Sequence, residues 1–359
     1  MNEIYILNRD FTLEGIIDEY SSIIWRTSYL QSGDFEIYIA ASERVFDLMK
    51  NERYVVRKRD VSVKNGVNRY KDVMIIKNIQ LITDVENGDF MCITGRDLKY
   101  LLHQRIVWKQ TNISMTAEDG IRKLIEENAI NPTDSRRVIP GMALAERKGL
   151  TKRISIQTTG DYLDEIINKI CLACDYGWNV EIQGDKIIIS VYEGVNRSYS
   201  QNERPFVVFS DEFENLYNTE YAVFTENYAN VSLVAGEGEG VERKFVCVNE
   251  QAEGFERFEN FCDARDLSSN SGSDREISPE EYERILKERG MDNIIKSMRT
   301  ENFSGEMISD MSFIFNTDFF LGDLVTVINQ YGIQKDVRVM GIIESEDETG
   351  IKTLPQFNI

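Results

Sequence analysis

The chain has 359 residues, 42% hydrophobic and 28% charged, enough for two or three ordinary globular domains. A formal net charge of −20 speaks against binding the phosphate backbone of nucleic acid, and no apolar run reaches the length that crosses a bilayer, so no membrane anchor is expected. Five cysteines suit a reducing compartment better than a disulfide framework, and the start, Met1-Asn2-Glu3-Ile4-Tyr5-Ile6, lacks the basic region of a secretory signal.

Residues 1–108 read as a first β domain. Ile4 and Ile6, then Ile16 and Ile17, flank a polar turn, and a β-prone run over 22–29 contains Trp25. Gly33-Asp34 leads into the strand-like Phe35-Glu36-Ile37-Tyr38-Ile39. Ser42 is placed to cap a short helix with Val45, Leu48 and Met49 on one face. Further strands are predicted at 53–58, 73–83 and 90–94, with tight hairpin turns at Asn65-Gly66 and at Glu86-Asn87-Gly88-Asp89.

Residues 109–205 change period and read as an α/β insertion of helices plus a hairpin. Thr116-Ala117-Glu118-Asp119 forms a capping box ahead of Ile121, Leu124, Ile125 and Ala129. Leu163, Ile166, Ile167, Ile170, Cys171 and Cys174 make one apolar helical stripe, with Gly177 expected as its stop. Trp178-Asn179-Val180-Glu181-Ile182 alternates, Gln183-Gly184-Asp185 turns, and Ile187-Ile188-Ile189-Ser190-Val191 returns. The shift of period predicts a separable unit whose removal leaves the flanking domains able to meet.

Residues 206–359 read as a second β domain carrying an inserted linker and helix at about 266–300. Strands are predicted at 207–209, 220–225, 230–235 and 244–248. Ser268-Ser269-Asn270-Ser271-Gly272-Ser273 has the composition of a flexible linker. Ser278-Pro279-Glu280-Glu281 then opens a helix with Tyr282, Ile285, Leu286, Ile295 and Met298 on a partial stripe, interrupted near Gly290. The last 55 or so residues return to strands. There Gly322-Asp323-Leu324-Val325-Thr326-Val327-Ile328 echoes the Gly33-Asp34 segment near the other end, so the two β domains present similar surfaces.

No active site emerges from the residues. The one histidine, His103, sits in a short apolar turn without an acidic, Ser or Cys neighbour in sequence, and reads as structural or solvent-facing. Cys171 and Cys174 have the spacing of a redox or zinc pair, but they fall at the C-terminal end of an apolar stripe, which reads as buried packing. Gly236-Glu237-Gly238-Glu239-Gly240 looks like a phosphate loop, yet it lacks Lys and its glutamates would repel the anion. Trp25, Trp108 and Trp178 lie in strand-like or strand-flanking contexts and are expected in cores. No catalytic, metal-binding or cofactor-binding residue is assigned, and no cofactor is expected.

Tyr5-Ile6-Leu7-Asn8-Arg9-Asp10-Phe11, Ser32-Gly33-Asp34-Phe35-Glu36-Ile37-Tyr38 and Thr94-Gly95-Arg96-Asp97-Leu98 open an ordered series of segments. It continues through Arg105-Ile106-Val107-Trp108, Gln110-Thr111, Thr158-Thr159-Gly160-Asp161, Val234-Ala235-Gly236-Glu237-Gly238-Glu239-Gly240 and Phe319-Phe320-Leu321-Gly322-Asp323-Leu324-Val325. In that order over nearly the whole chain, the series resembles the siphovirus-type phage tail proteins related to baseplate hubs and tail-associated, tail-tip proteins. The resemblance implies an α+β, multidomain fold: two tail-tube-like β barrels, an α/β insertion between them, and a helical segment inserted in the second. It implies a structural, non-enzymatic virion protein of a phage, prophage or phage-tail-like particle, made in the host bacterial cytoplasm and placed at the baseplate or tip. A homotrimeric ring would adapt the hexameric tail tube to the distal tip. Its partners would be tube or distal tail proteins, the tape measure protein, and tip spike or fibre proteins. DNA would pass through the central channel without specific binding. Relatives often extend into cell-wall hydrolase or fibre domains, and a chain ending at Ile359 puts lytic activity in doubt. Two other roles are a cell-wall-degrading component of the tip and a carbohydrate-binding receptor module, the latter calling for aromatic side chains exposed in a groove.

Overall fold

Alternation of buried and outward residues builds the largest sheet. In the strand Ser22–Ser28 the residues Ile23, Trp25 and Thr27 face inward, and in Asp34–Ala40 Phe35, Ile37 and Ile39 do so. The two strands pair antiparallel, and Asp34–Ala40 continues onto Phe90–Asp97 and then Met74–Ile82. Tyr54–Arg57, Ile4–Leu7 and Leu13–Ile17 complete that side. On its other edge Ser22–Ser28 pairs with Gln334–Asp347, which carries Gly350–Asn358 and Leu324–Ile328. The first and last blocks of the sequence therefore share one 13-stranded sheet.

The computed structural model describes residues 3–50, 52–85, 88–267, 277–307 and 313–358. Among them the α+β, multidomain fold is present, and the large sheet is not closed into a barrel. The chain divides into two compact units, Met1–Glu220 with Phe303–Ile359, and Tyr221–Asn302. The expected linker at 268–273 and the first half of the expected turn at 86–89 lie outside the described residues.

In the first unit the middle of the sequence forms a hairpin, Tyr176–Gln183 with Lys186–Glu193, and Met142–Leu144 adds in parallel. Val67–Tyr70 joins the same sheet through Ile182 opposite Tyr70, and pairs with Val61–Lys64 across Asn65-Gly66. Both turn residues are left-handed, at φ 53° and 76°, as a tight hairpin of matching twist requires. Helices Ala117–Ile125 and Leu163–Cys174 bury Ile121, Leu124, Ile167 and Ile170 in a core that also holds Leu7, Tyr29, Tyr70 and Trp178. The core is continuous across residue 108. Each large side chain so buried contributes about 1.5–3 kcal/mol over leaving it in water. A second core inside the first block holds Ile4, Ile6, Trp25, Phe35, Ile37 and Ile93.

The expected helix caps take their places. Ser42 Oγ accepts from Val45 N, Thr116 Oγ1 from Asp119 N and Ser278 Oγ from Glu281 N, each at 3.2 Å. The helix Leu163–Cys174 ends differently from expectation. Asp175, at φ 54°, takes the left-handed position after it, and Gly177 lies inside the following strand, where its missing side chain makes room for the Tyr29 ring.

The second unit is a three-stranded sheet, Phe245–Val248, Val231–Ala235 and Glu259–Asp263, with helix Pro279–Lys296 over one face. Val234, Val246, Val248, Cys262, Tyr282 and Leu286 form its core. Gly290 does not interrupt this helix. A Cβ there would lie 2.5 Å from Val248 and 2.6 Å from Val234, so the glycine lets the helix approach the sheet closely.

Candidate functional site

Charged side chains from three distant stretches converge in the first unit. Arg57 ends the strand Tyr54–Arg57 and is buried, with its guanidinium 4.8 Å over the Trp25 ring. It donates from Nε to Asp60 and from Nη1 to Glu344, each at 2.6 Å, and Nη2 lies 3.8 Å from Asp72. Arg59 also bonds Glu344, which sits on Gln334–Asp347. Burial alone would raise the Glu344 carboxyl, but the two guanidiniums hold it below the usual carboxylate range. Asp72 fares otherwise. Burial, reinforced by Asp60, pushes its carboxyl up to about 6 despite Arg57, and its backbone is left-handed at φ 46°.

Beside this cluster the buried Lys99 Nζ donates to the carbonyls of Ser28, Gln31 and Leu30, at 2.6, 3.2 and 3.3 Å. Asp97 accepts from Ser32 Oγ at 2.6 Å, Gly33 N at 2.8 Å and Lys99 N at 3.0 Å. Burial moves both groups toward their neutral forms, Asp97 up and Lys99 down. Lys99 and Asp97, with Asp60, Asp72, Tyr192 and Asn179, line a cleft of about 400 Å³. Lys99, Asp97 and Glu344 spend their hydrogen bonds on the protein itself, fastening strands and loops of separate blocks.

Tyr29 makes a second junction. Its hydroxyl donates to Asp175 O at 3.1 Å and accepts from Gly194 N at 3.2 Å. Its ring fills the space that a Cβ on Gly177 or Gly322 would take, at 2.0 and 2.1 Å. The two Gly-Asp segments carry different tasks. Asp34 opens its strand and pairs near the surface with Arg26. Asp323 is buried and accepts from Val195 N and Arg197 Nε at 2.8 Å and from Phe320 N at 3.0 Å, anchoring the chain at 195–197.

His103 finds an acid that sequence proximity could not reveal. Nδ1 lies 3.0 Å from Asp164 Oδ1, at the start of the helix Leu163–Cys174. The imidazole is stacked between Tyr162, at 4.3 Å between centroids, and Tyr100, at 5.4 Å. Cys171 and Cys174 are buried, and burial pushes the Cys171 thiol up to about 12. In the loop at 236–240, Glu237 N donates to the Tyr282 hydroxyl at 2.8 Å and Arg243 Nε to Gly236 O at 3.0 Å, so the loop is tied to its own unit. Among the described residues, no group of three or more His, Cys, Asp or Glu side chains could hold a metal ion. Trp25 and Trp178 are core residues, whereas Trp108 is 63% exposed. For Trp108 the expectation of core packing is corrected.

The family model described as Siphovirus ReqiPepy6 Gp37-like protein matches residues 3–357. None of the curated proteins matches the chain. Among solved structures, a tail protein from Neisseria meningitidis is similar at 14% identity and a TM-score of 0.58, covering 100% of this chain and 96% of that one. The 43 kDa tail protein of prophage MuSo2 from Shewanella oneidensis is similar at 12% identity and 0.57, covering 99% and 98%. The prophage tail protein gp18 from Listeria monocytogenes is similar at 10% identity and 0.53, covering 100% and 95%. At such identities the likeness is one of fold.

Proposed function

The chain belongs to the Siphovirus ReqiPepy6 Gp37-like family of siphovirus tail proteins, and from that premise we propose that it is a baseplate hub or tail-tip subunit acting by assembly and not by catalysis. Three copies form a ring that adapts the hexameric tail tube to the distal tip and leaves a central channel. The first and last β blocks are the two tube-like elements of each subunit, and the ring serves a phage, a prophage or a phage-tail-like particle. One observation carries this reading. Ser22–Ser28 pairs with Gln334–Asp347, so two β blocks of one chain lie edge to edge in a single sheet. Two blocks so joined could occupy neighbouring positions of a sixfold ring, letting a threefold subunit match a sixfold tube without idle contacts. The tube, the tape measure protein and tip spike or fibre proteins are its partners. Part of the −20 charge lines the channel, where carboxylates repel passing phosphates.

Electron microscopy of assembled particles with this subunit located tests the proposal. Three copies around an acidic channel are expected. Six copies, a ring built from one β block alone, or a channel lined by lysine and arginine would overturn it.

A further inference from the structure

Trp108 is exposed, yet it is held firmly. Its backbone N donates to Oδ1 of the buried Asn128 at 3.1 Å, and Val107 before it bonds Asp161 O and Gly160 N through its own backbone. Asn128 lies in a π-helical turn, Glu126–Ile130, that directly follows helix Ala117–Ile125; such turns are frequent at functional sites. Arg137 lies 5.0 Å from the indole centroid, and its Nη2 donates to Ile106 O at 2.7 Å. Its own carbonyl accepts from Arg105 Nε, also at 2.7 Å. The indole therefore stands at the wall of an open groove of about 660 Å³ with its backbone and one neighbour fixed.

The rest of the groove is amide-rich. Gln110, Asn112 and Asn131 are exposed along it, with Thr133 beside them. Each planar side-chain amide offers two donors and a two-lone-pair acceptor, the complement of a vicinal pair of hydroxyls. An indole offers a flat apolar face of matching size to the C–H face of a pyranose, and tryptophan suits sites where one side of a ligand is apolar and the other wet. Lys109, Lys123 and Arg137 are largely offset by Glu127 and Asp134 in the lining, which leaves little net charge to hold a polyanion such as nucleic acid.

We infer that the Trp108 groove is a saccharide-binding site, taking a pyranose unit of a bacterial envelope glycan with its apolar face against the indole and its hydroxyls on the amides of Gln110, Asn112 and Asn131. The site goes beyond the structural role proposed above and does not depend on the copy number of the ring.

The test uses the full chain on an array of bacterial envelope glycans, followed by titration of any retained glycan in solution. Because Trp25 and Trp178 are buried, acrylamide quenching of tryptophan fluorescence reports on Trp108. At least one glycan is expected to be retained and to reduce quenching of Trp108. Trp108→Ala is expected to weaken retention at least tenfold, and Gln110→Ala or Asn131→Ala severalfold, with unchanged circular dichroism. The proposal is overturned if no glycan is retained, if Trp108→Ala binds as well as the wild type, or if the bound glycan leaves the quenching unchanged. Protection of Trp108 by another tail protein, with no glycan retained, would assign the groove to a protein contact and likewise overturn it. Failure on the array leaves the particle images to judge the hub reading separately.

Discussion

Replacing Asp72 by Asn should stabilise the protein at neutral pH and do progressively less as the pH falls toward the ordinary carboxylate range. Asp72 faces Asp60, Glu344 and Asp97 as like charges and Arg57, with Lys99 beyond it, as opposite ones. The net effect lifts its carboxyl from 3.8 to about 6. The folded state thus holds a proton that the unfolded state has already released between those values. Stability falls as pH rises through this window, the reverse of an ordinary salt-bridged carboxylate. At about 1.4 kcal/mol per unit the penalty at neutral pH is at most about 3 kcal/mol. The Asp72 side chain is 20% exposed, and solvent screening brings the figure nearer to about 2 kcal/mol. Asparagine keeps the shape and tolerates the left-handed backbone, so it removes the charge without adding strain. Urea unfolding followed by fluorescence at pH 7.5 and at pH 4.5 compares a point above this window with one near its lower end. The variant should gain about 2 kcal/mol at pH 7.5, on the order of 4 °C in Tm, and only about 0.7 kcal/mol at pH 4.5, where the unfolded carboxyl is already mostly ionised. A loss of stability at pH 7.5, or an equal change at both values, would mean that Asp72 is ionised and needed by Arg57, and the reasoning fails.

Gly322→Ala should cost about 2–4 kcal/mol, since a Cβ would sit 2.1 Å from the Tyr29 ring on a backbone at φ 87°. Gly66→Ala, at φ 76° with open space around it, should cost only about 1 kcal/mol, and equal losses for the two in denaturant melts would show that the Tyr29 ring yields freely. A thiol reagent should modify the half-buried Cys247 first and Cys171 last in native protein, with all five reacting rapidly in denaturant; mass spectrometry that found Cys171 or Cys174 labelled early would remove them from the core.

Local chemistry was legible in the sequence. The caps at Ser42, Thr116 and Ser278, the tight turn at Asn65-Gly66 and the apolar stripe from Leu163 to Cys174 depend on residues within a few positions of one another, and each is where its pattern puts it. What escaped depends on distance. Nothing near His103 announces Asp164, 61 positions on, and nothing in Arg57 names Glu344, 287 positions away. Asp175 outcompeted Gly177 for the left-handed position because aspartate tolerates that conformation and the glycine was needed under Tyr29. Trp108 read as a core residue because its context is strand-flanking. The buried Asn128, from a π-helical turn with no local signature, holds its backbone with the ring outward.

The pairing of Ser22–Ser28 with Gln334–Asp347 also sets a timetable for synthesis. A ribosome adds about 5–20 residues per second, so roughly 15–60 s separate the emergence of the two strands. Throughout that interval the nascent chain can lay down Asp34–Ala40 on one side of Ser22–Ser28 while the other side keeps its amides and carbonyls bare. Neighbouring polysomes making the same subunit would present the same bare edge to each other. Slow translation anywhere between these two strands should therefore lower the soluble yield more than slow translation before the first of them, and chaperones that shelter strand edges should matter throughout that interval.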